Sequence, residues 1–165
     1  MIDESMPIQI LIVEDERSDI KLALRSLRKA GLANEIHHVR DGEQALDFLF
    51  SRGAYADRKT SLPPRVVFLD IKLPKVDGIE VLRQIRGDPR TATLPVVMLT
   101  SSQEDSDVLA GYELHANSYI VKPVDFKQFS EAVRMLGMYW VLFNTPPVPA
   151  AEATAGSTGA EPQAP

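Results

Sequence analysis

Along this chain, short runs of β-branched and other apolar residues alternate with stretches whose apolar positions recur at helical spacing. Residues 9–13, 35–39, 66–69, 96–99 and 118–121 read as strands, three of them with the uninterrupted apolar character of strands buried on both faces. Between them, Ile20, Leu24 and Leu27 mark one helix, ended by Gly31, and Ala45, Leu46, Leu49 and Phe50 mark a second. Ile79, Leu82 and Ile85 mark a third, Val108, Leu109 and Tyr112 a fourth, and Phe126, Phe129, Val133 and Leu136 a fifth. Asp41, Asp77 and Asp125 each stand three residues before a Gln or Glu, the spacing at which two side chains satisfy the free amides of a helix start. Five strand–helix units in strict alternation predict an α/β fold, a doubly wound five-stranded parallel sheet with helices on both faces.

The pattern stops near residue 144. The last 21 residues hold five Pro, two Gly and six Ala, so the expected organisation is one folded domain over 1–144 and a disordered tail over 145–165. A domain near this size buries roughly 70% of its unfolded surface and needs no metal or disulfide to fold. The absence of cysteine excludes disulfide frameworks, thiolate zinc sites and thiol catalysis. The formal charge is −5, and no basic run is longer than the pair Arg28–Lys29, which argues against a nucleic-acid partner. No apolar run approaches the roughly 20 residues of a membrane span. The acidic start Met1-Ile2-Asp3-Glu4 has no apolar signal segment, so the expected location is the cytoplasm.

In open parallel sheets, ligands bind beyond the carboxyl ends of the strands, and the residues there are suggestive. Glu14-Asp15-Glu16 follow the first strand and Asp70 follows the third. If those strands are neighbours, Glu14, Asp15 and Asp70 meet, and their mutual repulsion calls for a cation. An all-oxygen donor set of carboxylates, a carbonyl and water suits Mg²⁺. The fourth strand ends in Thr100-Ser101-Ser102 and the fifth in Lys122-Pro123. Each feature alone has an ordinary reading as a strand-end or surface residue. Together, a carboxylate nucleophile, a dication, a hydroxyl and an ammonium are what receiving a phosphoryl group requires, because the positive groups neutralise the charge on its oxygens.

With those motifs in hand, the chain resembles the receiver domain of two-component response regulators over roughly residues 7–143. The resemblance is carried by Ile-Leu-Ile-Val-Glu14-Asp15, by Phe-Leu-Asp70-Ile-Lys-Leu-Pro-Lys-Val-Asp77-Gly78, by Val-Val-Met-Leu-Thr100-Ser101 and by Tyr119-Ile-Val-Lys122-Pro123. It implies the flavodoxin-like strand order 2-1-3-4-5, with Asp70 accepting phosphate from a sensor histidine kinase. It further implies that Asp15, Asp70 and the backbone carbonyl of Lys72 ligate Mg²⁺ with Glu14 in support, that Thr100 and Lys122 contact the phosphoryl oxygens, and that Tyr119 is an aromatic switch residue. The family's Lys-Pro bond is typically cis, which extends to Lys122–Pro123. Two features depart from the commonest pattern. Glu14 replaces an Asp, and the Lys72 side chain adds a cation near the phosphoryl group.

Nothing in the chain resembles an output domain, so the expected output is protein–protein contact, and the protein is expected to be a phosphoacceptor and not an enzyme. The stretch from Asp41 through helix two, the long connection with Tyr55 and Pro63-Pro64, and Tyr139-Trp140 resemble phytochrome-associated single-domain regulators, which implies a bacterial phytochrome as the kinase. Residues 138–143 are apolar on every side, yet a sheet covers only one face of a helix. The remainder forms an apolar patch of the kind that marks an interface. A homodimer through helix four, strand five, helix five and residues 138–143 is therefore expected. Helix four, with Gly111 inside it, has low intrinsic helicity and is the expected moving part. An aspartate-based phosphohydrolase is disfavoured by Lys72, which stands where a second carboxylate would serve as general acid. A nucleotide-binding protein is disfavoured by the lack of a glycine-rich phosphate loop. An unphosphorylated receiver-like scaffold remains the alternative.

Overall fold

In a computed structural model of the protein, residues 9–32, 36–58, 63–101, 105–122, 125–145 and 147 are described. Strands β1 (Ile10–Val13), β2 (Ile36–Val39), β3 (Val66–Leu69), β4 (Val96–Thr100) and β5 (Ser118–Val121) alternate with helices α1 (Arg17–Lys29), α2 (Gly42–Phe50), α3 (Gly78–Gly87), α4 (Asp105–Glu113) and α5 (Phe126–Met138). The strands are parallel, in the order β2-β1-β3-β4-β5.

Because successive strand side chains point to opposite faces, the apolar runs fill two separate cores. Ile10, Ile12, Val66, Phe68, Val97 and Leu99 meet Ala23 and Leu27 of α1 and Phe129 and Val133 of α5. Leu11, Val13, Val67, Leu69, Val96 and Met98 meet Leu46 and Phe48 of α2 and Val81, Leu82 and Ile85 of α3. Residues 52–58 fold back over the edge of this second core. There His37 of β2 stacks on Phe48 at 4.5 Å and meets Tyr55 edge-on, while the Arg58 guanidinium lies 4.0 Å over the Phe48 ring.

Asp41 and Asp77 cap their helices as the spacing predicts, accepting from Gln44 N at 2.8 Å and Glu80 N at 3.0 Å. Asp125 also caps, but accepts from Lys127 N instead of Gln128, one position earlier than the capping-box spacing implies. Gly31 takes the left-handed conformation just past α1 (φ +79°) that closes a helix. Two of the helices turn marker residues outward. Leu109 and Tyr112 of α4 and Phe126 of α5 are exposed, not inward-facing. What α4 buries is Gly111, where a Cβ would lie 3.1 Å from the Tyr119 ring, so close approach of the backbone takes the place of a large side chain. Beyond α5 the chain continues in a π-helical turn, Tyr139–Phe143. Val141 is buried and Trp140 packs on the core, whereas Tyr139, Leu142 and Phe143 are exposed. Of the segment 145–165, only Thr145 and Pro147 are among the described residues. No described helix is long and apolar enough to cross a membrane.

The loop from β3 to α3 is fixed by two close backbone approaches. A Cβ on Gly78 would overlap the Asp70 carbonyl oxygen, and one on Gly42 would overlap that of Val76. The Gly78 amide donates to Ile71 O at 2.8 Å. Gly78 thus serves for proximity and not, as the Asp-Gly pair suggests, for a left-handed turn. Gly87, by contrast, faces open space. Gly78→Ala is expected to lower stability by about 3 kcal/mol, the upper end for forced overpacking. Gly87→Ala should leave it unchanged or raise it by up to about 1 kcal/mol. Urea midpoints compared at equal slope check both, and a Gly78→Ala protein as stable as wild type would contradict this account of the loop.

Candidate functional site

The carboxyl ends of β1, β3 and β5 converge because main-chain hydrogen bonds carry the sheet one residue past each strand. Glu14 N donates to Val39 O at 3.1 Å, Asp70 N to Val13 O at 3.1 Å, and Lys122 N to Thr100 O at 2.7 Å. These bonds place Glu14, Asp70, Thr100 and Lys122 side by side along one edge, with Thr100 and Asp70 buried. Carboxylate oxygens of Glu14, Asp15 and Asp70 lie within 4.8 Å of one another. The two Asp70 oxygens are distinct: Oδ1 accepts from Ile71 N at 2.7 Å, and Oδ2 accepts from Lys122 Nζ at 3.3 Å.

Lys122 is the hub of this cluster. Its ammonium, only 10% exposed, donates to Glu14 and Asp70 and also to Asp19 Oδ2 at 2.8 Å. Burial alone would lower its pKa, but the hydrogen bonds to Asp19 and Glu14 and the charge of Asp70 more than reverse that, and the group stays charged. Glu14 is pushed up to about 7, first by burial and then by the Asp70 charge, against the opposing pull of Lys122. The carboxylates of Glu14, Asp19 and Asp70 around one ammonium, with Asp15 beside them, therefore remain short of positive charge. Three of them present oxygens close enough for one hard cation, so the donor set fits a divalent ion.

The sequence-predicted residues divide accordingly. Glu14, Asp15, Asp70 and Lys122 are brought together, with Thr100 joined to Lys122 through the main chain. Tyr119 is half-buried and packs on the core against Gly111. The Lys72 side chain lies 3.8 Å from Asp107 of α4 and is largely exposed, so its cation sits at the rim. Pro123, and with it the expected cis bond, lies outside the described residues, as does Ser102. Asp19 escaped the strand-end search because it stands in the first turn of α1. In this fold each helix begins where a strand has just ended, so first-turn residues also border the site.

Comparison with known proteins shows the family and the fold. The family profile described as response regulator receiver domain matches residues 10–134. The response regulator Rcp1 of Synechocystis is 39% identical over 142 residues, 86% of this chain and 95% of that protein. The crystal structure of its Mn²⁺-bound form matches 86% of this chain and 99% of its own with a TM-score of 0.78 and 37% identity. The phosphorylated cyanobacterial phytochrome response regulator RcpA matches 86% and 99% at TM-score 0.79 and 35% identity. The bacteriophytochrome response regulator RtBRR matches 92% and 90% at TM-score 0.68 and 48% identity.

A carboxyl whose pKa rises from 4.5 to about 7 on folding favours the fold while protonated, and that contribution is lost as pH climbs through about 7. Glu14→Gln keeps the side chain neutral. In chelator at pH 8 it should raise stability by on the order of 1–3 kcal/mol. Added Mg²⁺ at a hundredfold excess over its dissociation constant should stabilise the wild type by about 2.7 kcal/mol and the variant by less. Thermal melts with and without metal measure both effects, and equal metal gains in the two proteins would contradict a shared cation.

Proposed function

Since the chain belongs to the response regulator receiver domain family, we propose that it accepts a phosphoryl group from a sensor histidine kinase onto Asp70 and passes the signal on by protein contact. The observation that carries this reading is the buried Lys122 ammonium on Asp70 Oδ2, inside a carboxylate group suited to a divalent ion. A carboxylate oxygen of Asp70 attacks phosphorus, the bond from phosphorus to the kinase histidine nitrogen breaks with its electron pair staying on nitrogen, and an acyl phosphate remains. Lys122 and Thr100 receive the phosphoryl oxygens. Glu14, Asp15, Asp70 and the Lys72 carbonyl would hold the metal, Mg²⁺ on this reading, which supplies positive charge to those oxygens.

The likeness to Rcp1, RcpA and RtBRR supports a bacterial phytochrome as the kinase. We place the protein in the cytoplasm, in keeping with a chain that has no cysteine, and we invoke neither nucleic acid nor membrane, in keeping with a formal charge of −5. Tyr119 acts as the switch, moving as Thr100 is drawn toward the phosphoryl group. The partner for output is a second copy of the chain, meeting it through α4, β5, α5 and residues 138–143. Support comes from Leu109, Tyr112, Met135, Tyr139, Leu142 and Phe143, all large apolar side chains more than half exposed.

Incubation with Mg²⁺ and a small acyl phosphate, followed by intact-mass measurement, is expected to show one base-labile phosphoryl group on the wild type and none on Asp70→Asn. A wild type that takes up no phosphate from any donor would favour an unphosphorylated scaffold. For the dimer, Leu142→Glu with Phe143→Glu changes exposed positions and spares Trp140, which packs on the core. The double variant is expected to shift the solution mass from two chains to one. An identical mass for both proteins would remove this interface.

A further inference from the structure

Lys122 Nζ has three carboxylate partners, and they are not equivalent. Glu14 and Asp70 both belong to the group that can hold a divalent ion, which Asp19 does not join. Asp70 must in addition offer an oxygen to phosphorus. Once a metal and a phosphoryl group are present, Asp19 is therefore the partner free to keep its bond to the ammonium, 2.8 Å away. It stands on a rigid support, because α1 is anchored to the sheet and α5 through the buried Ala23 and Leu27. Asp19 also lines the small cavity of about 10 Å³ that Glu14 and Asp70 border. We propose that Asp19 is the positioning residue for Lys122: its carboxylate holds the ammonium beside Asp70 Oδ2, at the place where a transferred phosphoryl oxygen arrives. A group held in this way acts mainly in the transition state, so its loss slows turnover more than it weakens donor binding.

The inference rests on Asp70 being the phosphoacceptor, and its test separates the two. The full chain, as wild type, Asp19→Asn and Asp19→Glu, is phosphorylated with acetyl phosphate and Mg²⁺ over a range of donor concentrations. Misplacing a catalytic group by about 1 Å can cost up to about a hundredfold. The expected loss for Asp19→Asn is about tenfold in maximal rate with donor KM within about twofold. Asp19→Glu should recover most of the rate. A rate that is unchanged or higher in Asp19→Asn overturns the proposal, and so does a loss that Asp19→Glu does not reverse. The second measurement needs no phosphate: ¹⁵N NMR of the Lys122 ammonium in metal-free protein. A protected signal in wild type that disappears in Asp19→Asn supports the proposal, and a signal that survives the substitution overturns it. If the wild type takes no phosphate, the phosphoacceptor reading fails, and the ammonium signal alone decides whether Asp19 holds Lys122.

Discussion

One buried ammonium facing several carboxylates is the constraint around which the functional end of this protein is built. Lys122 is almost enclosed, and so are Glu14 and Asp70. Removing the ammonium would leave buried carboxylates without their cation, typically at a cost of about 3–5 kcal/mol. The ammonium cannot neutralise every acid near it, and Glu14 registers the shortfall in its raised pKa. A site that holds surplus negative charge in a dry setting is one that a cation enters readily. A dianionic phosphoryl group added there would meet the same surplus of negative charge, which a cation would offset. Under the proposed function, the same imbalance would draw in the metal and make phosphate acceptance depend on it.

Holding like charges together requires a stiff frame, and the parallel sheet supplies it. The three strands that bear Glu14, Asp70 and Lys122 lie within one sheet, bonded directly or through β4, and the ladder extends past their ends. Both faces of the sheet are packed, so a shift of one strand end would disturb two cores at once. Gly78 and Gly42 let the backbone of the β3 to α3 loop close tightly around Asp70. At Lys75 the loop takes a positive φ of 65°, where a non-glycine residue is strained. The Lys75 side chain there pairs with Glu43 at 2.9 Å and Asp41 at 3.7 Å.

Much of this was legible in the sequence, for identifiable reasons. Fully apolar strands such as Val66–Leu69 carry a strong signal, and their alternation with helices leaves few topologies. Glu14, Asp70, Thr100 and Lys122 were found because a parallel sheet gathers strand ends at one edge. Asp19 is not legible in this way, because its contact with Lys122 comes from the proximity of the first turn of α1 to that edge, which residue spacing does not encode. The buried face of α4 is not legible in the pattern, because Gly111 packs by what it lacks, and a hydrophobic pattern registers only large side chains. At Asp125 the capping chemistry was correct but its target shifted by one amide, a difference set by how the chain enters the helix.

The geometry also limits how a change at Asp70 reaches the far side of α4. Among the described residues, contacts on this path include the Lys72–Asp107 ion pair and the Tyr119 ring packed against Gly111. An exposed ion pair contributes about 0–1 kcal/mol. A new charge-assisted hydrogen bond at Thr100 or Lys122 contributes about 1.5–3 kcal/mol. Moving a two-state equilibrium from 1:99 to 99:1 takes about 5.5 kcal/mol of differential stabilisation. Phosphorylation acting through these contacts alone therefore gives a partial shift. The remainder has to come from something that binds one state of α4 better than the other, and the exposed Leu109 and Tyr112 are the surface on that helix able to provide it. Under the proposed function, an α4 that starts as far as 1:99 from its active state would need partner binding as well as phosphorylation, and each would strengthen the other by the same factor.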